Sequence, residues 1–158
     1  MGMNKYQPHV VVLPEDDATR QLAVGFSLGM HQTCPLDVKD PAGGWTHVLQ
    51  LFVTEYLPKF RKDKGNLHLV MLIDFDNNLE RLETMRERIP DELKGRVFVI
   101  GAWSAAEKLR QGQYGSFEKI GLSLAQDCQE ERPWNHELLQ HIDEEIKDMT
   151  KALKPILF

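Results

Sequence analysis

The sequence predicts a single α/β domain: a four-stranded parallel sheet flanked by helices, with a C-terminal helical extension. Two observations carry this. The runs His9-Val10-Val11-Val12-Leu13-Pro14 and Leu67-His68-Leu69-Val70-Met71-Leu72-Ile73 are almost continuously apolar, as strands buried on both faces are. Helical patterns lie between the successive strand segments, and strands joined by helices form a parallel sheet with right-handed crossovers. At 158 residues the chain holds one real core and is short for two, so residues 1–158 read as one domain, 8–112 the α/β core and 113–158 the added helices.

The elements follow in order. After the first strand, Leu22, Ala23, Phe26 and Met30 recur at helical spacing over Ala18 to Met30, and Asp16 or Asp17 reads as the N-cap. Gly25 and Gly29 weaken that helix. A short strand is expected over Cys34 to Val38, then a loop through Asp40-Pro41-Ala42-Gly43-Gly44. The next helix runs from Trp45 to Leu57, with Val48, Leu49, Phe52, Val53 and Tyr56 inward and Pro58 as its stop. Arg61 to Asn66 is a charged turn into the third strand. A highly charged helix over Asn78 to Ile89 faces solvent on one side. Pro90 to Gly95 leads to a fourth strand, Arg96 to Ile100. Helical patterns at Ala105 to Arg110, Ser116 to Cys128 and Trp134 to Leu153 complete the chain, which ends on apolar Pro155-Ile156-Leu157-Phe158. That end either folds back on the domain or forms a partner-binding tail.

Composition excludes several classes. No apolar run approaches a membrane span, and the first residues lack the layout of a signal peptide. Cys34 and Cys128 have no metal-ligand spacing, so a reduced, cytoplasmic setting is expected. The net charge of −5 argues against a module that holds nucleic acid by charge alone. It leaves room for a metal-dependent phosphotransfer site, where the ion supplies positive charge locally. The scattered His31, His136 and His141 form no pattern, and Trp45, Trp103 and Trp134 read as core or interface anchors.

The chemistry sits in the acidic residues at strand ends. The first strand ends on Glu15, Asp16 and Asp17, and the third on Asp74-Phe75-Asp76. In an open α/β sheet the carboxyl ends of the strands share one crevice, and ligands bind there. Alternate residues leaving an extended strand point the same way, so Asp74 and Asp76 are expected to reach one ion together with Glu15. Unpaired carboxylates gathered in one place repel one another, and a divalent cation is the usual remedy. Asp16 and Asp17 read more simply as helix caps. Gly43 and Gly44 read first as a turn and second as amides that approach a phosphate, with Lys39 as a neighbouring cation. Ser104 and Glu107 stand where a capping box belongs.

On Glu15 and Asp74-x-Asp76 the sequence resembles the Toprim family, shared by topoisomerases, bacterial-type primases, recombination proteins of the RecR type and OLD-type nucleases. The resemblance covers roughly residues 8 to 112 and is closest to the Toprim part of OLD-type nucleases, whose glycine turn the Gly43-Gly44 pair is similar to. It implies a Toprim-like (Rossmann-like) core and Mg²⁺ or Mn²⁺ at Glu15, Asp74 and Asp76. It adds Glu107 as a second-metal ligand and implies phosphodiester chemistry, most directly a nuclease component. The chain departs from the pattern in Pro14 before the glutamate and the two aspartates after it. It has no Walker A loop, so a separate ATPase chain is the implied partner.

Two rivals stand beside that reading. One is a non-catalytic interaction protein that keeps the fold. The other is a receiver-like phosphoacceptor domain built on Asp16, Asp17, Asp74 and Ser104, against which no fifth strand ending in lysine is visible. Binding of nucleic acid by the isolated chain is expected to be weak. Of the cations Lys39, Arg61, Lys62 and Lys64, only Lys39 falls in a loop at the crevice edge.

Overall fold

The computed structural model describes residues 7–30, 35–76, 78–102, 117–134, 139 and 142–158. Four strands form one parallel sheet: β1 (His9–Pro14), β2 (Leu36–Val38), β3 (Leu67–Asp74) and β4 (Val97–Ala102), in the order β2-β1-β3-β4. β1 and β3 are the central pair and nearly wholly buried, which is why they lack polar alternation. The reversal of strand order between β1 and β3 opens the crevice at their carboxyl ends.

Helix α1 (Asp17–Leu28) leaves β1 through a capping box. Asp16 Oδ1 accepts from the Thr19 amide at 2.8 Å, and Thr19 Oγ1 accepts from the Asp16 amide at 3.1 Å. The glycines that weakened this helix in the sequence have a tertiary role. A Cβ at Gly25 would stand 2.0 Å from the carbonyl oxygen of Glu118, and one at Gly121 would stand 2.0 Å from that of Leu22. Both glycines let α1 and α5 (Phe117–Gln129) approach backbone to backbone.

Pro58 does not stop the second helix. The chain runs through α2 (Trp45–Leu51), a π-turn (Phe52–Tyr56) and α3 (Leu57–Lys62). The Leu57 amide reaches back to the Phe52 carbonyl, one residue further than in an α-helix. This wider turn lies just before the proline, whose missing N–H and bulky ring would otherwise disrupt the α-helical ladder. Phe52, Tyr56 and Phe60 stay buried, so the helix holds its apolar face through the proline.

Helix α4 (Leu79–Glu87) follows β3, capped by Asn78, whose Oδ1 accepts the Glu80 amide at 3.0 Å. Helix α6 (Asp143–Leu157) begins nine residues later than the pattern from Trp134 suggests and carries Pro155 within its last turn. Trp134 is buried instead, edge-on to Phe26 with ring centroids 6.0 Å apart. The apolar end folds back: Leu157 is buried, and Phe158 meets Phe26 edge-on at 6.2 Å. This end therefore lies against the domain rather than hanging free. The helix expected over Ala105 to Arg110, with Trp103, Ser104 and Glu107, lies outside the described residues, as do His31, Cys34, His136 and His141. Cys128 is buried, and burial pushes its thiol up to about 11, which keeps it protonated and inert. Among the described residues no helix is long and apolar enough to cross a membrane.

Candidate functional site

Parallel pairing in register brings Pro14 beside Leu72, and the residues that follow each strand end emerge together. Glu15 is pinned by its backbone on both sides. Its amide donates to the Leu72 carbonyl at 2.9 Å, and its carbonyl accepts from the Gly43 and Gly44 amides at 2.9 and 3.3 Å. Its side chain then crosses to β3, where Oε2 accepts the Asp74 amide proton at 2.6 Å. Two residues 59 apart in sequence thus share one corner of the carboxyl edge.

Both carboxyls of this pair are half-buried, and both are held above the ordinary carboxylate range. Burial is the largest cause for each. The negative charges of Asp16 and Asp74 add to the rise at Glu15, and those of Asp76 and Asp16 add to it at Asp74. The backbone hydrogen bonds that each accepts, and the positive charge of Arg81, offset this only in part. The pair is therefore short of positive charge.

Asp76 does not leave the strand alongside Asp74. The strand ends at Asp74, Phe75 sinks wholly into the core, and Asp76 takes a left-handed conformation at φ 50°. Asp74 Oδ1 accepts the Asp76 amide at 3.0 Å, an Asx turn that ends the extended backbone. The Asp76 side chain is 68% exposed and faces Arg81, with Oδ2 3.8 Å from Nη2. Among the described residues no three His, Cys, Asp or Glu side chains stand together as a metal-holding group.

The donor set present is a pair of hard carboxylate oxygens, with Asp76 close by. Mg²⁺ suits such a set, because it keeps several waters and takes one or two carboxylates plus substrate phosphates. Glu15 and Asp74 would hold such an ion through the oxygens that the backbone amides leave free. Asp76 joins them only by leaving Arg81.

The residues expected to meet a phosphate have internal partners. Gly43 and Gly44 adopt φ of 88° and 140°, which glycine tolerates, and so turn their amides onto the Glu15 carbonyl. Their role in this geometry is to position Glu15. Lys39 pairs with Asp37 at 2.7 Å at the exposed end of β2. Asp16 caps α1, and Asp17 accepts from the Gln21 side chain at 2.7 Å.

Sequence reasoning missed Arg81. Its Nη1 donates to the Asp74 carbonyl at 2.7 Å, and its guanidinium carbon lies 5.6 Å from the centre of the Trp45 ring. A signal was present. An arginine in the first turn of α4 opposes the helix dipole, and such a local conflict marks positions kept for another reason.

Comparison with family models, with curated proteins and with solved structures returns no significant match for this chain.

Proposed function

We propose that the chain is a Toprim-like domain that handles phosphodiesters with Mg²⁺ or Mn²⁺, a nuclease component that works with a separate ATPase or other partner chain. The observation that carries this reading is the Glu15–Asp74 pair: two half-buried carboxyls with raised pKa values at the switch point of a parallel sheet. A divalent cation bound there supplies polarisation of a phosphoryl oxygen and stabilisation of the leaving oxyanion.

Each residue has a task in this reading. Glu15 and Asp74 hold the cation, and the Gly43–Gly44 turn keeps the Glu15 backbone in place. Glu15 uses Oε2 to accept the Asp74 amide, which leaves Oε1 for the cation or for a proton from the attacking nucleophile. Asp76 joins the set when a substrate phosphate takes its place on Arg81. The acidic net charge of −5 gives the chain little hold on a polyanion, so a partner contributes most of the affinity.

Manganese titration followed by electron paramagnetic resonance, together with cleavage of plasmid DNA, tests the reading. We expect one Mn²⁺ site that Asp74→Asn abolishes, and slow cleavage lost in the same variant. Absence of Mn²⁺ binding, or binding that survives in an E15Q/D74N double variant, would end it.

A receiver-like phosphoacceptor is the second reading. The order β2-β1-β3-β4 is that of the first four strands of flavodoxin-like sheets, and Asp74 ends the third strand. The side chains of Asp16 and Asp17, bound within α1, count against it. Stable labelling of Asp74 by acetyl phosphate would favour it over metal-dependent cleavage.

A further inference from the structure

We propose that Arg81, held in place by Trp45 and by the Asp74 carbonyl, is the cation that receives the substrate phosphate. This rests on the reading of Glu15 and Asp74 as a divalent-cation centre for a phosphodiester. It replaces the sequence candidates, whose charge or donors serve other groups: Lys39 pairs with Asp37, and the Gly43 and Gly44 amides donate to the Glu15 carbonyl.

Three observations support it. Arg81 bonds the Asp74 backbone carbonyl, and its positive charge acts on both the Glu15 and Asp74 carboxyls, so it stands beside the place that a phosphate shared with their cation would take. Its guanidinium carries five N–H donors, of which Nη1 serves the Asp74 carbonyl and Nη2 faces Asp76. Its side chain is 22% exposed, against 68% for Asp76, so the group is sheltered and its ion-pair partner is not.

The fixation by Trp45 matters as much as the charge. Lying over the Trp45 ring, 5.6 Å from its centre, and anchored at Nη1, the guanidinium keeps its place while one edge changes partner. Exchange of the exposed Asp76 carboxylate for a phosphate oxygen gives up only a weak surface pair and orders no new rotamer. The same exchange frees Asp76 to turn toward Glu15 and Asp74. Arg81 is thus a charge placeholder before substrate arrives and a phosphate contact afterwards.

The test compares wild type, Arg81→Ala, Arg81→Lys and Trp45→Leu in two assays. One is Mn²⁺ binding by electron paramagnetic resonance. The other is fluorescence anisotropy of a short fluorescein-labelled DNA oligonucleotide in low salt with Ca²⁺. We expect Arg81→Ala to weaken oligonucleotide binding about tenfold and to lower its salt dependence by about one counterion. Arg81→Lys should regain part of the affinity, since it keeps the charge without the planar fork. Mn²⁺ affinity in Arg81→Ala should equal or exceed that of wild type, because a positive charge beside the carboxylates is gone. Trp45→Leu should weaken the oligonucleotide several-fold and leave Mn²⁺ unchanged, which keeps the test valid if Arg81→Ala fails to fold.

Oligonucleotide binding that is undetectable in wild type, or equal in wild type and Arg81→Ala, with Mn²⁺ binding intact, overturns the role of Arg81 alone. Joint loss of Mn²⁺ and oligonucleotide in Arg81→Ala makes the residue a structural brace and overturns it too. No Mn²⁺ binding in wild type removes the cation centre itself, and this inference falls with it.

Discussion

The two edges of the sheet treat carboxylates in opposite ways. At the amino edge, Asp63 precedes β3 and is well supplied with donors. Its Oδ2 accepts the Gly65 and Leu67 amides at 3.0 and 2.9 Å and pairs with Arg96, which also lies over the Phe60 ring. Burial alone would raise its pKa, but these amides, that of Asn66 and the Arg96 charge outweigh it and hold the carboxyl below its usual range. At the carboxyl edge, burial weighs more heavily on Glu15 and Asp74, donors are fewer and like charges add to it, and both pKa values rise. A carboxylate that lacks a cation inside a folded protein is an invitation to a ligand, whereas one that is fully satisfied is a structural joint.

The largest expected effect breaks the structural joint. Asp63→Ala should cost about 3 kcal/mol in urea unfolding, because it strands the Arg96 charge and leaves amides without their acceptor. Asp74→Asn should cost much less, or raise stability, since it removes repulsion. A ranking in the other order would dissolve the contrast between the edges.

Metal should act on one edge only. At tenfold excess over its dissociation constant, Mg²⁺ or Mn²⁺ should stabilise the wild type by about 1.4 kcal/mol, a rise in melting temperature of about 3–6 °C. The E15Q/D74N variant should show no rise, and Asp63→Ala should show the wild-type increment from its lower starting point. Equal shifts in wild type and E15Q/D74N would place the ion elsewhere.

Acid titration should give the edges opposite signs. With folded pKa values raised, Glu15 and Asp74 contribute stability that is fully present below their unfolded pKa values and is lost as pH rises through the folded ones. With its folded pKa depressed, Asp63 contributes stability that is present above its unfolded pKa and is lost as pH falls through the folded one. Unfolding free energy measured across the acid range should therefore fall less steeply toward low pH in Asp63→Asn than in wild type. Glu15→Gln should gain stability relative to wild type above the raised Glu15 value. Parallel curves for the two variants would contradict the assignment.

The smallest effect belongs to Lys39. Its pair with Asp37 leaves the two side chains 46% and 39% exposed, and Lys39→Ala should change stability by less than about 0.5 kcal/mol. Oligonucleotide affinity should be unaffected by the substitution, in contrast to Arg81→Ala. A loss like that of Arg81→Ala would return the phosphate to the loop after β2.

Much of the frame was legible in the sequence. The apolar runs at β1 and β3, the Asp16 cap and the meeting of Glu15 with Asp74 all follow from local patterns plus one rule of parallel topology. Less legible were features with a distant partner. Gly25 reads as a helix weakness until α5 lies against it, and Pro58 reads as a stop until a π-turn and a buried aromatic face carry the helix through. Asp76 reads as the twin of Asp74 until Phe75 buries its ring and turns the backbone.

By itself, then, the sequence determined the α/β class, the strand segments and the edge at which Glu15 and Asp74 meet. Hydrophobic periodicity and strand order act on whole elements, and an element's end lands on its edge whatever its side chains do. Only the tertiary structure decided which groups at that edge face each other. It turned Asp76 to Arg81, gave Arg81 the Trp45 ring and drew the glycine amides onto the Glu15 backbone. Side-chain directions past a strand end depend on which neighbours bury, pair or repel them, and those neighbours come from elements far apart in the chain.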